Sequence, residues 1–128
     1  MEDDKGVRKF IIRALEAKGY KVLAAEDGPS ALKIIGKPLE INLLLTDVVL
    51  PKGMDGPAVA KVFKQKFPTA AVIFSSGYTG RTLKTKGFLK KGDELLSKPY
   101  DLETLLNRVR NKMKTKKISR SKKEKKVV

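Results

Sequence analysis

The sequence predicts an α/β fold built on a parallel sheet, and three strand ends predict it. Leu43-Leu44-Leu45-Thr46-Asp47 is an apolar run of strand length that stops on a carboxylate, directly before the Pro/Gly-rich stretch 48–56. Val72-Ile73-Phe74-Ser75-Ser76 ends in hydroxyls, and Leu95-Leu96-Ser97-Lys98 ends in an amine. In an open parallel sheet the carboxyl ends of the strands share one edge, where ligands bind and chemistry happens. An acid, a hydroxyl and an amine at three successive strand ends form a set suited to phosphoryl transfer.

The remaining elements follow in order. Val7, Phe10, Ile11, Ala14 and Leu15 recur at helical spacing, and Gly19 ends that helix. Tyr20 to Ala25 reads as a strand closed by Glu26-Asp27-Gly28. Pro29 sits at a first helical position ahead of Ala31, Leu32, Ile34 and Ile35, and Gly36 closes a short helix. After the Leu43–Thr46 strand and its loop, a helix runs from about Pro57 to Phe67 and stops at Pro68. Ala71–Ser75 is the next strand. The stretch from Gly80 to Gly92 holds four lysines and three glycines, so any helix there is short and weak. Leu95–Ser97 is a short strand, and Asp101 caps a last helix carrying Leu102, Leu105, Leu106 and Val109. Strands alternating with helices are the mark of a parallel sheet covered on both faces.

Composition narrows the chemistry. At 128 residues the chain fits one domain, and with neither cysteine nor histidine it has no thiolate and lacks the usual general base. No apolar run approaches the roughly 20 residues of a membrane helix, and the acidic start Glu2-Asp3-Asp4 is unlike a secretory signal. A cytoplasmic location is expected. The formal charge of +15 is uneven: residues 111–128 hold nine Lys/Arg against Glu124 alone. Residues 1–112 are expected to form the domain, and 113–128 a solvated, disordered basic tail. That tail lacks aromatic side chains, so nucleic acid would bind it only electrostatically and without sequence preference.

The ordered set of motifs over about residues 2 to 112 resembles the receiver domain of two-component response regulators, of the kind found in hybrid sensor kinases. The resemblance implies a flavodoxin-like (CheY-like), doubly wound sheet of order 2-1-3-4-5. It implies that Asp47 is the phosphoacceptor, Ser76 the switch hydroxyl and Lys98 the lysine that meets the phosphoryl group, with a cis peptide before Pro99. It further implies Mg²⁺ held by Glu2, Asp3, Asp47 and the backbone carbonyl of Val49, with Asp4 the alternative by one residue for the acidic pair. The partner would be a histidine kinase or a histidine phosphotransfer protein, and the domain a phosphoacceptor rather than an enzyme.

Two departures stand out. The first strand, which the resemblance places directly before the acidic pair, is truncated or absent, and Leu95 stands where an aromatic is common. Val127-Val128 is a short candidate for the vacant slot, a poor substitute after a lysine run. The rival functions are a degenerate receiver acting only as an interaction module, and a nucleic-acid binder working through the tail.

Overall fold

The computed structural model of the chain describes residues 1–90, 93–114 and 126–127. Among the described residues ten elements follow in order: α1 (Lys5–Glu16), β1 (Lys21–Val22), α2 (Gly28–Ile35), β2 (Leu43–Asp47), α3 (Gly56–Lys66), β3 (Ala71–Ser76), α4 (Gly80–Thr85), β4 (Leu95–Ser97), α5 (Leu102–Lys114) and β5 (Lys126–Val127). Helix starts are set by side chains that satisfy free backbone N–H groups. Asp4, Asp27, Asp55 and Thr79 accept from Val7, Ser30, Ala58 and Thr82 respectively. Asp101 accepts from Thr104 in the same way, as its sequence context predicts.

The strands form one parallel sheet of order β1-β5-β2-β3-β4. Every residue of β2 is buried, as expected of a central strand covered on both faces. One core packs Ala31, Leu44, Val59, Phe63, Phe74 and Leu83 beneath α2, α3 and α4. The other packs Leu15, Leu43, Ile73, Leu105, Val109 and Val127 beneath α1 and α5.

The sheet has the expected order, with the slot of the first strand filled by another segment, and it corrects the expectation for the tail. The slot between β1 and β2 is taken by β5, whose Val127 pairs with both Val22 and Leu43 and is buried. Helix α5 also continues past residue 112, burying Met113 against the same core. The disorder expected of 115–125 and any pairing of Val128 lie outside the described residues. A two-residue partner explains why β1 is only Lys21–Val22, where six residues read as strand: the ladder reaches no further than its neighbour.

Candidate functional site

The site forms at the carboxyl edge of β2, β3 and β4, where Asp47, Ser75-Ser76 and Ser97-Lys98 emerge side by side. Asp47 is buried at the end of β2, and its backbone N–H donates to the Met1 carbonyl at 3.1 Å. Its own carbonyl accepts from the Thr46 hydroxyl at 2.9 Å. The following loop folds back so closely that a Cβ on Gly56 would lie 2.0 Å from the Asp47 carbonyl oxygen. Only glycine fits there, and the Gly56 N–H then donates to the Val48 carbonyl at 2.8 Å.

Lys98 reaches into the centre, 2.7 Å from Glu2 Oε1 and 2.8 Å from Asp47 Oδ1. Burial works against its charge, but hydrogen bonds to Asp47 and Glu2 outweigh that and raise its pKa above the ordinary lysine value. Burial, together with the neighbouring Asp47, pushes the Glu2 pKa up. The Lys98–Pro99 peptide is cis, as the resemblance implies.

Oxygens of Glu2, Asp3 and Asp47 all lie within 4.8 Å of one another. Hard carboxylate donors at that spacing suit Mg²⁺, which binds oxygen and keeps several waters. Glu2 is anchored by its N–H to the Ala25 carbonyl, and Arg8 donates to the Glu2 and Asp3 carbonyls. Asp4, the alternative for the acidic pair, is instead occupied as the cap of α1. Val49 is exposed on the loop beside Asp47.

The structure brings Glu2, Asp3, Asp47 and Lys98 together and adds a residue that the sequence reading missed. Ser75, opposite Asp47 in the ladder, donates its hydroxyl to Asp47 Oδ1 at 2.7 Å. Ser76 is also buried, but its hydroxyl accepts from the Tyr78 N–H at 3.0 Å. Two adjacent serines look alike in sequence, and only the strand register decides which faces the acid.

A parallel sheet with a buried aspartate, a lysine and an acidic cluster at one edge is an arrangement that suits a cation or an anionic group. Comparison with known proteins identifies the family. The model of the response regulator receiver domain matches residues 1–110, and the chain belongs to that family. It is 33% identical over 108 residues to the response regulator receiver protein CpdR of Brucella abortus (strain 2308), covering 84% of this chain and 88% of that one. It is 32% identical over 111 residues to the sensor kinase CckA of the same organism, covering 86% of this chain but 12% of the kinase. The crystal structure of the receiver domain from the hybrid histidine kinase CckA superposes with a TM-score of 0.70 at 39% identity, covering 88% of this chain and 94% of that one. The chain spans about half the length of other curated relatives, which are transcriptional regulators. No helix among the described residues is long and apolar enough to cross a membrane.

Proposed function

We propose that this receiver domain accepts a phosphoryl group on Asp47 from a phosphohistidine of a histidine kinase or histidine phosphotransfer protein, working in the cytoplasm. The observation that carries this reading is Lys98 held between the carboxylates of Asp47 and Glu2. An Asp47 carboxylate oxygen bonds to phosphorus as the phosphorus–nitrogen bond breaks. The leaving imidazole keeps that electron pair and takes a proton from water, leaving an acyl phosphate on Asp47. A carboxylate attacking phosphorus needs position and charge neutralisation more than it needs a base, so the lack of histidine is no obstacle.

Lys98 releases Glu2 and Asp47 and meets the phosphoryl oxygens as a point charge. Ser76 gives up the Tyr78 N–H and donates its hydroxyl to the phosphoryl group. Ser75 orients the acceptor carboxylate beforehand. Glu2, Asp3, Asp47 and the Val49 carbonyl would hold Mg²⁺. The ion, when bound, supplies positive charge against the crowded oxygens.

Intact-mass measurement with a small phosphodonor in Mg²⁺ tests the proposal. Wild type should gain one phosphoryl group, and Asp47→Asn none. Equal labelling of both overturns Asp47 as the acceptor. Lys98→Ala should keep metal binding while weakening the response to phosphorylation.

A further inference from the structure

We propose that the carboxyl-terminal strand Lys126–Val127 is a clasp that positions the phosphoacceptor pocket, holding the side of the sheet that carries Glu2 against the side that carries Asp47. The inference deepens the phosphoacceptor reading of Asp47 and rests on it. Among the described residues, β1 has no ladder partner except β5. On its other side β5 pairs with β2 through Leu43. The Val127 carbonyl also accepts from the Leu23 N–H at 2.9 Å, extending the attachment past the end of β1. Beyond Leu23 lies Ala25, whose carbonyl anchors Glu2, and then Asp27, the buried cap of α2.

The same slot is used twice along its length. Val127 lies opposite Leu43, while Met1 occupies the far end, its amino group donating to the Leu45 carbonyl and its carbonyl accepting from Asp47. The two segments run in line as the halves of one interrupted strand. A cavity of about 30 Å³ lies near their junction, lined by Ile11, Leu15, Leu23, Leu45, Val127 and Met1 among others. An interior slot left empty would strand backbone groups of both flanking strands away from partners. Filling it is therefore a condition for holding β1 and β2 at their present spacing.

Val127 carries this attachment. It is only 1% exposed and sits in the core with Leu15, Leu43, Leu105, Val109 and Met113. The backbone register continues one residue further, with Lys126 opposite Lys21.

The test uses the full chain and three variants, Val127→Asp, Val127→Ile, and Val127→Asp extended upstream of Met1 by a five-residue apolar strand. Three quantities are read: amide exchange at Leu23 and Asp47, Mg²⁺ affinity by calorimetry, and the rate of acyl-phosphate formation. Val127→Asp should speed exchange at Leu23 and weaken Mg²⁺ binding at least about tenfold, a loss of one decade in the binding constant. Val127→Ile should match wild type within about twofold. The extended variant should recover protection and Mg²⁺ affinity, because another strand fills the slot, even where the aspartate alone prevents folding. Val127→Asp that keeps Mg²⁺ affinity and Leu23 protection overturns the clasp. So does an extended variant that folds without regaining Mg²⁺ affinity, or native mass spectra showing that a second copy supplies the strand. If wild type takes up no phosphoryl group while Val127→Asp still loses protection and Mg²⁺ affinity, the acceptor reading of Asp47 falls and the clasp stands.

Discussion

The two halves of the sheet are held in very different ways. From β2 to β4 the strands pair over long registers, five residues between β2 and β3 and three between β3 and β4, with apolar side chains buried on both faces. From β1 to β2 the connection passes through two residues of β5 and the in-line residues Met1 and Glu2. Asp47, Ser75, Ser76 and Lys98 belong to the first half, while Glu2 hangs from the second. Asp47 and Lys98 are thus held by the long ladders, while Glu2 and Asp3, the other two acids of the cluster, are attached through the sparser region. One site depends on two levels of local stability.

The largest expected effect probes the well-held half. Gly56→Ala drives a methyl group into the Asp47 carbonyl, so the loop or the end of β2 must shift. Urea denaturation should show a loss of at least about 3 kcal/mol, typical of a severe backbone clash. A change below about 1 kcal/mol would show that the edge of β2 yields more readily than its pairing suggests.

Acidity probes the other half. Burial lowers the pKa of the Met1 amino group to about 6. Between pH 8 and 6 the unfolded chain binds this proton more readily than the folded one, so stability rises with pH across that window. The gain across that window should be about 2 kcal/mol, part of a limit of about 2.7 from two pKa units at 1.36 each. Glu2, whose pKa is raised, contributes with the opposite sign, its stabilisation being lost as pH rises. A Glu2→Gln background removes that opposing slope. Denaturation at pH 6, 7 and 8 in this background checks the sign. A flat profile would mean that the amino group is solvated and the slot more open than described.

Hydrogen exchange measures the contrast directly. The Leu23 amide should open at a free energy at least about 2 kcal/mol below that of Ile73, since its partner is the short β5 rather than a full ladder. Equal protection would show that both halves open as one unit. The smallest effect belongs to Ser75→Ala, which removes one hydrogen bond to Asp47 while Lys98 remains. A loss of about 1 kcal/mol is expected in thermal melts, with acyl phosphate still formed.

The halves differ in legibility too. Leu43–Asp47 and Ala71–Ser76 are visible as strands because continuous burial writes continuous apolar runs, and Gly36 and Pro68 mark the helix ends around them. Asp47 and Lys98 are legible because chemistry at strand ends leaves charged residues against apolar ones. The β1 side is not legible, since Tyr20 to Ala25 carries apolar residues without revealing how much of it finds a partner. Val127 is legible only as a poor candidate for the slot, for the complementary reason: a basic run hides one buried valine, and pairing between distant segments leaves no local pattern. Ser75 was missed because strand register is a tertiary property, fixed by the neighbouring strand.

Tyr100, one residue beyond the cis peptide, has a buried hydroxyl with no partner, the one such side-chain atom among the described residues. Burial pushes its pKa up to about 12, and the charges of Lys98, Glu2 and Asp47 all act on it. The chain has three tyrosines and no tryptophan, so no indole drains or masks phenol emission. Tyr78 is largely exposed, with Lys86 over its ring. With Tyr20 and Tyr78 replaced by phenylalanine, near-ultraviolet fluorescence comes from a single phenol beside the pocket. The chain then carries its own optical reporter, whose brightness should change when a cation or anion enters, without a dye or label.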